Sequence, residues 1–346
     1  MIYILDNGDM FPKLLKTITK WLDYEVKEIP DLKFEYQKSD ILILNGEHFT
    51  ELYHKSKDEL WEKFKKIQIP IIIIIDDSAL GWGPTKMHVV DNRPIYILTP
   101  SIGTDIPKFG VQPNDDNFNY LLTHIIENSD ENVTEQLLES GKSFLRSKYF
   151  LSLNREPKPH RDFLYNFIDT NNLYSKFYYS YTKKKNPIFL DGDKDWGRYS
   201  ILDPTDINYV KHYDSYFSVI TLPEYEKGHF HFIDEKMWKP ILSHQPFILL
   251  GAPFYLKTLK SFGFQTFYDL IDESYDNMIN DKQRWNRACV EIKKLSKTPI
   301  SKIHEWYYSS DTQSKLKHNY NVAKKMSWQQ REKISTLIED LQDYDV

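Results

Sequence analysis

Pro70-Ile71-Ile72-Ile73-Ile74-Ile75-Asp76-Asp77 is the stretch on which the fold turns. An unbroken β-branched run has no polar face to give to water. It reads as a central parallel strand covered by helices on both sides. In an open α/β sheet the residues just past the carboxyl end of such a strand face the ligand crevice, so Asp76 and Asp77 stand where chemistry is done. At least one of them can equally cap the next turn. Upstream, Ile2–Leu5 and Asp40-Ile41-Leu42-Ile43-Leu44 read as further strands, and Asp9–Leu22 and Thr50–Ile67 as helices between them. Alternation of strand and helix predicts an α/β class with parallel sheets.

Downstream, Asn117–Glu127 and Thr134–Ser147 read as helices, and then the pattern restarts. Lys148–Leu153 is a strand and His160–Ile168 a helix. Lys176–Tyr181, Ile188–Leu190 and Tyr216–Ile220 are strands, Ile233–Leu242 a helix, and Phe247–Leu250 a buried strand that stops at Gly251. Helices follow from Pro253, Asp281 and Ser327. The restart divides the chain into an N-terminal domain, 1–147, and a C-terminal domain, 148–346; a length of 346 residues suits two domains.

Composition narrows the function classes. Hydrophobic residues at 40% and charged residues at 27% fit a chain that fills real cores and exclude disorder. A net charge of -5 gives no general basic field for nucleic acid, so such a partner is not favoured, although a local basic groove stays open. The single cysteine, Cys289, cannot form an internal disulfide, which suits a reducing compartment. The N-terminus reads directly as a strand, without signal-peptide features, and Ile69–Ile75 is too short to span a bilayer; a cytoplasmic location is expected. The sequon Asn132-Val133-Thr134 is then of little weight and is expected in a helix-start loop.

Gly141-Lys142-Ser143 lacks the earlier glycine of a phosphate-binding loop, since position 136 is Gln136. Asp191-Gly192-Asp193-Lys194-Asp195 lacks the placed glycine and closing Glu of a calcium loop and reads as a polar turn. Preceded by Asn186–Leu190, Asp191 and Asp193 also form a D-x-D, which in metal-dependent glycosyltransferases holds Mn²⁺ and the donor diphosphate. His229 and His231 share one side of an extended segment, with no third metal ligand evident.

A more coherent constellation lies in the C-terminal domain. Phe150-Leu151-Ser152-Leu153-Asn154-Arg155-Glu156-Pro157-Lys158-Pro159-His160-Arg161 runs strand, polar loop, helix, with cations at the helix start, where free N–H groups and the dipole attract phosphate. Phe232-Ile233-Asp234-Glu235-Lys236-Met237-Trp238 opens another helix. Asp234 can cap it, Lys236 can reach a phosphate, and Glu235 can accept two hydrogen bonds from ribose hydroxyls. Trp238, at helical spacing with Ile233 and Ile241, belongs to the core. Gln245-Pro246-Phe247-Ile248-Leu249-Leu250-Gly251 is a core strand closed by a glycine turn that lets backbone approach a ligand.

Together these segments, over Tyr149–Arg284, resemble the donor-binding domain of the α1,3-fucosyltransferase family. Asp234-Glu235-Lys236 stands where the family has Thr-Glu-Lys, and Val219-Ile220-Thr221-Leu222-Pro223-Glu224 departs from its Phe-Glu-Asn stretch. The resemblance implies a GT-B architecture, two Rossmann-like domains with parallel sheets facing across a cleft. It implies an inverting, metal-independent enzyme that moves a sugar from a nucleotide diphosphate donor, of fucose type or related, to a glycan or other acceptor hydroxyl. Arg161 and Lys236 would neutralise the diphosphate and Glu235 would hold the ribose, with Asn154, Arg155 and Phe232 also in the donor site. The family's base, a carboxylate after a first-domain strand, would be Asp77 or Asp76. A transferase acting on a hydroxymethylated nucleic-acid base, the D-x-D enzyme and a non-catalytic sugar-nucleotide-binding protein are the alternative readings.

Overall fold

The computed structural model describes residues 1–5, 24–29, 35–45, 63, 66–74, 95–98, 101–102, 120–154, 157–183, 186–189, 207–223, 225 and 231–342. The chain divides into two compact units, Met1–Tyr120 with Ser327–Val346, and Leu121–Met326.

The first unit carries a five-stranded, all-parallel sheet. Its strands are β1 (Ile2–Leu5), β2 (Val26–Ile29), β3 (Ile41–Asn45), β4 (Ile71–Ile74) and β5 (Ile95–Leu98), in the order β2-β1-β3-β4-β5. That is the flavodoxin-like order, in which the chain reverses direction between β1 and β3. Ile2, Ile41–Leu44, Ile71 and Ile72 are fully buried, as their unbroken apolar composition predicts. β4 lies between β3 and β5, as the isoleucine run predicts. β2 and β5 add to the strands read from the sequence. The helix expected at Asp9–Leu22 and nearly all of that at Thr50–Ile67 lie outside the described residues. So do Asp76, Asp77 and Glu47. β6 (Ser101–Ile102) is a short further strand.

The second unit opens with α1 (Tyr120–Asn128) and α2 (Glu131–Gly141). Asp130 caps α2 by accepting from Asn132 N at 2.9 Å and Val133 N at 3.1 Å, so the sequon sits in the helix's first turn and not in a loop. Gly141-Lys142-Ser143 closes this helix and follows no strand. The division between the units falls at Tyr120, the start of α1, and Ser327–Val346 goes with the first unit, where the sequence suggested 1–147 and 148–346; the segment after α1 is tied to residues 209–215. Asp130 N donates to Tyr209 Oη at 2.7 Å, Arg146 Nη1 to the Ser215 carbonyl at 2.7 Å, and Ser147 N to Asp214 Oδ1 at 2.8 Å.

The second sheet is built from β7 (Lys148–Leu153), β8 (Phe177–Lys183), β9 (Asn186–Phe189), β10 (Ser215–Thr221) and β12 (Phe247–Leu250), in the order β12-β10-β7-β8-β9. β11 (His231–Phe232) is short. All neighbouring pairs are parallel except β8 with β9, which is antiparallel at the edge. Pro187 explains the edge position, since it cannot donate to a further ladder. From β7 the chain first builds outward through β8 and β9, then returns to place β10 on the other side. The topological switch point is therefore between β7 and β10.

The α-helices are completed by α3 (Pro159–Thr170), α4 (Tyr209–Tyr213), α5 (Glu235–Leu242), α6 (Tyr255–Ser261), α7 (Asp281–Lys297), α8 (Ile300–Tyr307) and α9 (Ser310–Gln342), and Tyr174–Lys176 and Glu273–Asn277 form short 3-10 helices. Helix α9 begins seventeen residues before Ser327, where the sequence suggested a start. Trp238 is fully buried with its ring 5.9 Å from Phe264, so the core role expected of it holds. Phe150 lies 4.7 Å from Phe177 and 6.0 Å from Phe217, which stacks on Trp306 at 5.6 Å, so these aromatics fill one face of the sheet. Among the described residues, no helix is long and apolar enough to cross a membrane.

A candidate anion site at the switch point of the second sheet

β7 ends at Leu153 and β10 at Thr221, so their carboxyl ends deliver Asn154 and Thr221 side by side to the switch point. Ser152 Oγ donates to the Val219 carbonyl at 2.8 Å, and Asn154 Nδ2 donates to Ser152 Oγ at 3.0 Å. Thr221 Oγ1 in turn donates to Asn154 Oδ1. These three side chains are buried.

α3 starts beside them. Lys158 precedes the helix in extended conformation and Pro159 fills its first turn, a position where the missing N–H costs nothing. Arg161 turns inward: Nε donates to Thr221 Oγ1 at 3.2 Å and Nη2 to the Thr221 carbonyl at 3.4 Å. It is 3% exposed. Lys158 Nζ donates to the Pro223 carbonyl at 2.9 Å, on the loop that leaves β10. His160 is buried, stacked 4.6 Å from Tyr225. Burial, reinforced by the charge of Arg161, drives its pKa well below the ordinary value, so it adds no positive charge.

α5 brings the second cation. Asp234 caps it, Oδ1 accepting from Lys236 N at 3.0 Å. Lys236 Nζ lies 2.5 Å from Glu235 Oε1 and 3.3 Å from Asp234 Oδ2. Burial works against the lysine's charge, but Asp234 and Glu235 outweigh it and raise its pKa, with Arg161 opposing them. Burial also favours neutral Glu235, yet Lys236 and Lys239 hold its carboxyl below the ordinary value. Asp234 is different. It is 1% exposed, and burial pushes its carboxyl up to about 6 against the pull of Lys236. Lys236 and Glu235 each remain about a fifth exposed, so both can reach a ligand.

The structure thus gathers Arg161, Asp234, Glu235, Lys236 and Asn154 in one place. Thr221 joins them. Nothing local in the sequence singles it out, since its part depends on which strand lies beside β10. Asn154 is at the expected position, but its amide is engaged by the neighbouring strand ends. Phe232 lies in β11, two residues before the cap; its side chain, together with Arg155, Asp191, Asp193 and His229, lies outside the described residues.

Gly251 has a different neighbour from the one expected. A Cβ there would lie 2.6 Å from Leu222 Cδ1, so the glycine admits the core side chain that follows Thr221. The buried Arg284 spans the same edge of the sheet. Nε donates to the Gly251 carbonyl at 2.7 Å, Nη2 to the Tyr225 carbonyl at 2.6 Å and Nη1 to the Met278 carbonyl at 2.8 Å. Nη2 also pairs with Asp281 at 2.5 Å.

Cations at helix starts, at the carboxyl edge of a parallel sheet, are an arrangement that favours an anionic group. The adjacent carboxylate of Glu235 suits hydroxyl donors. Among the described residues, no group of three or more His, Cys, Asp or Glu could hold a metal ion.

No protein-family model matches the chain, and no curated protein matches it. Among solved structures it is similar to that of the DNA modifying enzyme β-glucosyltransferase, determined in the presence and absence of the substrate uridine diphosphoglucose. The identity is 12%, the match covers 99% of each chain, and the TM-score is 0.47.

Proposed function

We propose that the chain is a glycosyltransferase that binds the diphosphate of a nucleotide-sugar donor at the switch point of its second sheet. The observation that carries this reading is Arg161, held by Thr221 at the carboxyl end of β10, with Lys236 at the start of α5 near enough for the two charges to repel. Open parallel sheets bind ligands at this point, and nucleotide diphosphates are bound there by helix starts and cations. Glu235 serves the ribose hydroxyls as a two-oxygen acceptor.

In transfer, an acceptor oxygen bonds to the anomeric carbon as the bond from that carbon to the diphosphate oxygen breaks. The electron pair leaves with the diphosphate, and Arg161 and Lys236 stabilise the charge that develops there. The acceptor's proton goes to a carboxylate. Asp76 or Asp77, which follow β4, is the proposed proton acceptor. Direct displacement inverts the anomeric centre. The two cations do the work that a divalent ion does in D-x-D enzymes, so the site needs no metal.

The test is calorimetry with UDP and GDP, with and without EDTA. The wild type should bind at least one of them equally in both conditions. Lys236→Ala and Arg161→Ala should each weaken that binding roughly ten- to hundredfold, the cost of about 1.5–3 kcal/mol for a lost charge-assisted hydrogen bond. Unchanged affinity in both variants would remove the donor site from this edge. Binding abolished by EDTA and restored by Mn²⁺ would move it to Asp191 and Asp193.

A further inference from the structure

We infer that Thr221 is a positioning residue for the donor site: it ends a one-way chain of buried hydrogen bonds that aims the Arg161 guanidinium. The inference rests on the donor-site reading above.

The direction of the chain follows from its first link. The Val219 carbonyl can only accept, so Ser152 Oγ spends its one hydrogen on it at 2.8 Å. The Ser152 oxygen is left as an acceptor and must face a donor, which sets the Asn154 amide with Nδ2 toward it, at 3.0 Å. Asn154 Oδ1 is thereby turned toward Thr221 and takes the threonine's hydrogen. The remaining lone pairs of Thr221 Oγ1 point at Arg161 Nε, 3.2 Å away, while the Thr221 carbonyl receives Nη2 at 3.4 Å. Reversal at any link would set donor against donor or acceptor against acceptor in a buried site, where an unsatisfied group is costly. Arg161 is therefore gripped through Nε and one Nη by a single residue of β10. Its planar fork has a fixed orientation before any ligand arrives. Ordering an arginine in advance lowers the cost of using it on a phosphate.

Thr221 touches no ligand in this account; it acts through Arg161. Thr221→Val keeps the β-branched shape and removes both the donor to Asn154 and the acceptor for Nε. Thr221→Ser keeps both. Calorimetry with UDP and GDP on folded wild type, Thr221→Val and Thr221→Ser, with unfolding midpoints measured alongside, should show about a tenfold loss of affinity for Val and less than twofold for Ser. In an Arg161→Ala background Thr221→Val should cost nothing further, because the group it aims is gone. A valine variant that unfolds more easily but binds as the wild type does has lost only structure, and that result overturns the inference. So does a serine variant as weak as the valine one, or a valine effect that persists without Arg161. A wild type that binds neither nucleotide sinks the donor-site reading itself, and this inference with it, a result distinct from all the others.

Discussion

Asp234 Oδ2 lies 3.3 Å from Lys236 Nζ, while Oδ1 of the same carboxylate accepts from the Lys236 backbone N–H at 3.0 Å. One buried acid thus caps α5 and holds the side chain of the cation that the cap introduces. Its two tasks have opposite needs. The lysine favours the ionised form, and burial favours the neutral one.

That conflict gives a pH prediction. Burial raises the Asp234 carboxyl from 3.8 to about 6 in the folded chain. Between about pH 4 and pH 6 the folded state therefore binds a proton that the unfolded state has released. The stability contributed by this group is highest below about pH 4, falls as pH rises through that window, and is constant above it. Asp234→Asn keeps the cap and cannot titrate. The stability of the wild type relative to this variant should fall by up to about 3 kcal/mol between pH 4 and pH 6.5 and then level off. Urea unfolding at pH 4.5, 5.5 and 7 measures it; a difference that does not change with pH shows that burial does not govern this acid.

Arg284 ties three stretches of backbone together through the carbonyls of Gly251, Tyr225 and Met278. Arg284→Met should cost about 3–5 kcal/mol, because one buried and two part-buried carbonyls lose a charged donor at once. Arg284→Lys should recover only part of the loss, since a single ammonium cannot reproduce the planar fork. Equilibrium denaturation of both variants checks the order. A methionine variant within 1 kcal/mol of the wild type would show that the ties are replaceable.

The proton acceptor is tested by Asp76→Asn and Asp77→Asn, once a donor and an acceptor are in hand. The true base, changed to Asn, should lose about 10²–10⁴ in turnover. Affinity for the nucleoside diphosphate should be unaltered, because these carboxylates do not belong to the donor site. Near-normal turnover in both variants passes the role to Glu47, which follows β3.

Much of the second sheet was legible because its strands are continuous apolar runs. β7, β10 and β12 are buried along nearly their whole length and carry that burial in their composition. β2 was not legible: Val26-Lys27-Glu28-Ile29 is an edge strand, exposed in its middle, and has no apolar pattern to read. The Ile95–Leu98 run of β5 carries the same signal as β4, and its place in the sheet follows from pairing with it. Asp234 was legible as the cap of α5 because a helix cap is a local event, settled within a few residues. The Gly251 turn misled, because a glycine shows that something comes close without showing what, and here it is Leu222.

The sequence by itself determined most of the buried strands, the cap of α5, the buried Trp238 and the presence of cations at two helix starts. Each of these follows from hydrophobic pattern or from hydrogen bonds between near neighbours. Only the tertiary structure decided that β10 lies beside β7, which creates the switch point and brings Thr221 to Asn154 and Arg161, 67 and 60 residues away along the chain. A buried polar side chain must be satisfied by whatever packing sets next to it. Its partner is therefore a property of strand order, which no local stretch of sequence contains.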